Sequence, residues 1–200
     1  MALQILLRIA KSIDAVTEQI GRLSSLLVVA LVFVGFYNVV ARYLGKFTGQ
    51  RLTSNAIIET QWYMFSILFY MGFAYILKDN VNVRVDFLYA DWPPKRKALV
   101  DLLGTLLILI PFCLMGIWVS IDPVLNSWGR QFDGTWGTWE LSPDPDGLPR
   151  APIKSMIIIG FLMLLVQSVS QAIKYAAILF GTITEEEAED LQKYELTDRI

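Results

Sequence analysis

Glu59, Asp101 and Asp122 are the acidic groups closest to the long apolar stretches of this 200-residue chain, and each stands at the edge of a stretch, never inside one. A carboxylate in the middle of a membrane helix could take a proton or a cation. At a helix end it does less: Glu59 opens an apolar stretch, where the sign of the helix dipole suits a carboxylate, and Asp101 and Asp122 are simply hydrated. The spacing offers no paired catalytic carboxylates, no nucleophile elbow, no glycine-rich phosphate loop and no metal-ligand pattern. Histidine is absent altogether, which removes the usual haem ligand, the commonest zinc ligand and the commonest general base near neutral pH. The single Cys113 cannot close an intrachain disulfide. Neither enzyme nor metalloprotein is expected, and no cofactor in this chain. The net charge of −2 gives no reason to expect a nucleic-acid partner.

The uncharged polar residues within or beside the apolar stretches are the better candidates. Asn38, Gln61, Gln167, Ser168, Ser170 and Gln171 would face protein in preference to lipid, because polar side chains bind membrane helices to one another. Gln167 and Gln171 are four residues apart and so share a helix face. Their partner is another helix, either of this chain or of a second protein.

These residues must be held by helices, and the hydropathy pattern says which. Over half of the residues are apolar, and the charges cluster between four uncharged stretches at 23–41, 60–77, 102–121 and 155–173. A helix of that length covers about 27–30 Å, which fits a hydrocarbon core of roughly 30 Å. A soluble bundle would need a polar stripe along each helix, and 26–36 and 156–166 have none. The expected fold is therefore an all-α integral membrane protein with four transmembrane helices. Pro111, inside the third stretch, predicts a kink. Basic residues are denser before the first stretch, between the second and third and after the fourth than in the other two loops, so both termini are expected in the cytoplasm.

Outside the bilayer, residues 1–22 have helical periodicity. Ile5, Leu6, Ile9, Ile13, Val16 and Ile20 form one face, with Gln4, Arg8, Lys11, Glu18 and Arg22 on the opposite one. This predicts an amphipathic helix lying in the membrane interface or packed on a partner. Lys95, Arg96 and Lys97 are candidates for contact with anionic lipid head groups. The loop at 122–154 carries Trp128, Trp136 and Trp139 among Gly and Pro, and reads as an ordered cap or a spacer over the helix ends. Residues 181–200 form an acidic tail. The membrane domain thus spans 23–180.

An order of motifs now stands out: Asn38-Val39-Val40-Ala41-Arg42-Tyr43 ending the first stretch, Glu59 opening the second, Gly72 within it, Val83-Arg84-Val85-Asp86-Phe87-Leu88 before a Pro-basic run, and Pro152-Ile153-Lys154 opening the fourth. Over roughly 20–180 the chain resembles the small membrane subunit, the DctQ-like protein, of tripartite ATP-independent periplasmic (TRAP) transporters. Asn82 stands where many members carry histidine, which argues against proton chemistry there.

The resemblance implies a multi-pass protein of the bacterial inner membrane that scaffolds a large membrane subunit. That subunit would carry sodium and an organic acid, delivered by a periplasmic substrate-binding protein. Partners would be these two proteins and phospholipids. Asn38, Arg42, Glu59, Gly72, Arg84, Asp86, Lys154, Gln167 and Gln171 become candidates for helix ends, lipid contacts or the subunit interface, and the three loop tryptophans candidates for docking the binding protein. Two competing readings are a membrane-anchor subunit of a redox enzyme complex and a small multidrug exporter. The exporter would want an ionisable residue in mid-span.

Overall fold

The computed structural model describes residues 2–81 and 92–181, and their regular elements are all helical. The Val83–Leu88 motif with Arg84 and Asp86, and the acidic tail from 182, lie outside the described residues.

Helix α1, Ala2–Thr48, runs for 47 residues without interruption. At 1.5 Å per residue it is about 70 Å long, more than twice the thickness of a hydrocarbon core. The amphipathic segment and the first apolar stretch are thus one rod that projects from both ends of its charge-free window. Its buried face is small and polar: Ala10, Thr17, Ser24 and Asn38 recur at multiples of seven residues, with Ala41 beyond them. That is the spacing of a helix-helix seam, built from residues that allow close approach in place of leucine. Ile5, Leu6, Ile9 and Val16 point away from the bundle.

Helix α2, Asn55–Lys78, starts after Ser54 in extended backbone and stops where Asn80 turns left-handed at φ 53, a conformation asparagine tolerates better than most residues. Helix α3, Pro94–Ser127, opens on a proline, which suits the first turn because no donor is lost there. At Thr105–Leu109 its backbone widens into a π turn. Pro111 lacks an N–H and would press its ring on the carbonyl four residues back. The π turn just ahead of it is how α3 accommodates the proline that the sequence marks as a kink site. Helix α4, Arg150–Leu179, follows Pro149.

Helices α1, α3 and α4 are each long and apolar enough to cross a membrane. Helix α2, of 24 residues and about 36 Å, is less apolar because Gln61, Tyr63, Tyr70 and Tyr75 interrupt its aliphatic and phenylalanine positions. It lies against both α1 and α4, and α4 is the centre of the bundle, packing on all three others. Close approach is made at glycines. A Cβ on Gly160 would stand 2.8 Å from Tyr70, and one on Gly116 would stand 2.7 Å from Phe161.

The bundle is polar inside and apolar outside. Its largest fully buried side chains are Gln167, Gln171, Cys113, Ser168 and Ser170, whereas Leu107, Ile108 and Trp118 are at least 70% exposed. A soluble bundle would invert this. In hydrocarbon the arrangement is favourable, since lipid covers the apolar surface and polar groups find partners only within protein.

Candidate functional site

Two polar clusters, one at each end of the bundle, hold most of the candidate residues. The first joins the amino-terminal part of α1 to the last turns of α4. The hydroxyl of Thr17 donates to Gln167 Oε1 at 2.7 Å, and Gln167 Nε2 donates to Asp14 Oδ1 at 2.8 Å. Ser170 Oγ donates to the same Asp14 oxygen at 2.8 Å, and Lys174 Nζ reaches the other at 2.9 Å. Asp14 is thus held by two neutral donors and one cation, which is what a half-buried carboxylate requires. Alongside, Gln171 Nε2 donates to the carbonyls of Leu77 and Lys78 at 2.9 and 3.2 Å, satisfying acceptors that a helix end leaves free. Lys78 bridges Glu18 and Asp79 at 2.7 Å each. Gln167 and Gln171 therefore find their partners within this chain. The amino-terminal segment packs on α4 and α2 through its polar side.

The second cluster centres on Glu59, in the first turns of α2 and only 2% exposed. The Ser142 hydroxyl and the Leu148 backbone N–H both donate to its carboxylate, and Arg150 Nη2 lies 3.3 Å away. Arg150 also stacks on Trp62 at 5.0 Å from the ring centroid. Tyr63 Oη donates to the Pro149 carbonyl at 2.6 Å, and Asn55 Nδ2 to that of Pro145 at 2.9 Å. Glu59 is the post to which the Pro-rich loop is fastened. Its position near a helix N-terminus is the lesser part of its role. Ser142 and Arg150 escaped sequence reading because nothing local marks them as partners of a residue more than eighty positions earlier.

A smaller knot closes the same end between α1 and α2. Asn38 Nδ2 donates to Gln61 Oε1 at 2.9 Å, and Thr53 Oγ1 donates to Asn38 Oδ1 at 3.0 Å. Lys154 pairs with Glu140, to which Ser127 Oγ also donates at 2.7 Å. The Lys154 ammonium, and after it the Ser127 hydroxyl, hold the Glu140 carboxyl below its usual range.

The three loop tryptophans separate. Trp128 Nε1 donates to Ser155 Oγ at 2.8 Å, and its ring lies 5.7 Å from that of Trp139. Both are part of the loop's own anchorage, whereas Trp136 is 63% exposed. Arg42 is exposed at the end of α1. Gly72 has open space where a Cβ would stand. Lys95 and Arg96 are exposed in the first turn of α3, with Lys97 half-buried beside them.

Among the described residues no group of histidine, cysteine or carboxylate side chains is placed to hold a metal. The arrangement ties helices and loop together and presents no assembled acid, base or nucleophile. One family model matches residues 31–177, that of the tripartite ATP-independent periplasmic transporters, DctQ component. It includes the α2 and α4 candidates, Asn38 and Arg42. No curated protein and no solved structure matches the chain.

Proposed function

Because the chain belongs to the DctQ component family of tripartite ATP-independent periplasmic transporters, we propose that this small subunit scaffolds the large membrane subunit during sodium-coupled uptake of an organic acid. As a member of that family it is a transporter component and not an enzyme. The observation that carries the scaffold reading is where the polar groups are spent. Asp14, Gln167, Ser170 and Lys174 at one end, and Glu59, Ser142 and Arg150 at the other, are engaged with one another. A translocation pathway needs polar groups free to exchange partners with an ion or substrate. Sodium and substrate sites are therefore assigned to the large subunit, and delivery to a periplasmic binding protein.

In this reading all four helices cross the inner membrane, α2 included, and both termini are cytoplasmic. The length of α2 and its place between α1 and α4 support the fourth crossing. The basic residues in the amino-terminal part of α1, before its charge-free window, and at the start of α3 support the orientation. The face of α2 carrying Phe65, Phe69, Gly72 and Ile76 is offered to the large subunit: these residues share a helix side, the three apolar side chains are exposed, and Gly72 leaves room for a facing helix. The redox-anchor alternative has no support from the family. Nor does the exporter reading gain an ionisable residue inside any of the four charge-free windows.

The test is to produce the large subunit with and without this chain and to reconstitute each into liposomes with the binding protein and a sodium gradient. Uptake should fall to background without this chain, together with loss of correctly assembled large subunit. Full uptake by the large subunit alone would sink the scaffold role.

A further inference from the structure

At the end of α1, opposite the amino terminus, a cleft of about 580 Å³ opens between α1, the start of α2 and the Pro-rich loop. Arg42, Lys46 and Arg51 line it, with Asp146 on the loop side. All four are exposed, and among the described residues none of them makes a hydrogen bond or ion pair through its side chain. This sets them apart from Glu59, Glu140, Arg150 and Lys154 nearby, each of which has a partner. Three cations converging on one hollow repel one another unless an anion joins them.

The neighbours of the cleft indicate which anion. Arg42 comes directly after the charge-free window of α1, so the hollow opens at the depth of the lipid head groups. Back along α1 from Arg42, inside the charge-free window, Phe33 and Phe36 are 67% and 68% exposed, and Tyr37 is exposed beside them. Apolar side chains in that position are stable beside acyl chains and costly in water.

We propose that this cleft binds a phospholipid whose head group carries both a phosphodiester and a primary ammonium. Arg42, Lys46 and Arg51 hold the phosphodiester, Asp146 receives the ammonium, and Phe33 and Tyr37, farther into the membrane along α1, lie along the acyl chains. Arginine is well suited to the part, because its planar donors match phosphate oxygens in pairs. The site is distinct from Lys95, Arg96 and Lys97, which stand at the opposite end of the bundle. It rests on α1 crossing the membrane and not on the scaffold role.

The experiment uses the full-length chain in the assembly it forms in the membrane, delipidated in detergent and titrated with short-chain phosphatidylethanolamine under native mass spectrometry. Saturable binding is expected, weaker on the order of a hundredfold in an Arg42→Ala/Lys46→Ala/Arg51→Ala variant. Asp146→Asn, on an exposed and unpaired side chain, should keep phosphodiester binding but erase the preference for phosphatidylethanolamine over phosphatidylglycerol. Unchanged lipid binding in the triple variant would overturn the proposal. So would displacement of the lipid by an equal concentration of inorganic phosphate, which would mark a free-anion site. A triple variant that keeps its lipid but no longer binds the periplasmic protein would reassign the cleft to protein docking. None of these readouts is substrate uptake, so this site and the scaffold role can fail separately.

Discussion

Lys174 Nζ lies 2.9 Å from Asp14 Oδ2, joining the penultimate turn of α4 to the amino-terminal part of α1 across 160 residues of chain. Both side chains are largely shielded from water, and Asp14 also receives Gln167 and Ser170. This carboxylate is one of the ties, with Glu18 to Lys78 and Asn38 to Gln61, by which the long first helix leans on the bundle.

Lys174→Ala removes the one cation that, among the described residues, pairs with Asp14 and leaves a shielded charge with neutral donors. The expected loss is about 2–3 kcal/mol, the scale of a charged hydrogen bond, read as a lower midpoint of thermal unfolding in detergent. Asp14→Ala/Lys174→Ala should cost less than the sum of the single changes, because the stranded charge is gone. Strict additivity would show that the pair is not coupled.

Glu59→Gln keeps the size of the side chain but turns a donor toward the Ser142 hydroxyl, the Leu148 N–H and Arg150. The loop at 140–149 should detach first, while the helices stay formed. Limited proteolysis from the side opposite the amino terminus is expected to cut this loop faster in the variant than in the parent, with helical circular dichroism unchanged. Equal cleavage rates would mean that Glu59 does not fasten the loop.

Protonation should act on the same loop through Glu140. Its carboxyl is held below the ordinary value of 4.5 by Lys154 first and Ser127 second. A depressed acid contributes stability that is complete above the unfolded value and is lost as pH falls through the folded one. Tryptophan fluorescence should therefore hold steady down to about pH 4.5 and change only below it, and Lys154→Met should move the transition upward. The effect will be small, because both side chains are partly exposed and water screens the pair. A transition at the same pH in both proteins would contradict this account.

Trp136 is the loop tryptophan free to meet a partner. Trp136→Ala should change stability by no more than about 0.5 kcal/mol yet weaken capture of the periplasmic binding protein in a pull-down. Replacing Trp128 or Trp139 would loosen the loop itself, so loss of docking there would not discriminate. Undiminished capture by Trp136→Ala would end the docking role.

Two glycines should respond in opposite ways. A Cβ at Gly160 has no room beside Tyr70, so Gly160→Ala should destabilise the bundle by about 1–3 kcal/mol as α2 and α4 are forced apart. Gly72 faces open space, and Gly72→Leu should leave the isolated chain's unfolding midpoint unchanged while reducing copurification with the large subunit. Normal assembly of the Gly72 variant would remove this face of α2 from the interface.

Hydropathy is a local sum, which is why the charge-free windows in α1, α3 and α4, the displacement of charge to the helix ends and the lack of histidine were all legible in the sequence, as were the family motifs. The window in α2 was legible as a helix, but it carries enough tyrosine and glutamine to fall below the other three in apolarity. Polar pairing is not local. Gln167 could satisfy its amide on any helix that comes near, and its choice of Thr17 and Asp14 depends on α1 continuing unbroken past the window, which no residue between 2 and 48 announces. Glu59 likewise read as a helix-end charge until the loop came back to it with Ser142 and Leu148. The π turn before Pro111 belongs with these: the proline forbids an ordinary turn, but only the packed backbone decides where the extra residue goes. Composition determined which segments belong in lipid, and tertiary structure decided which polar groups meet there, because a buried donor is specified by the acceptor within its reach and not by its neighbours in sequence.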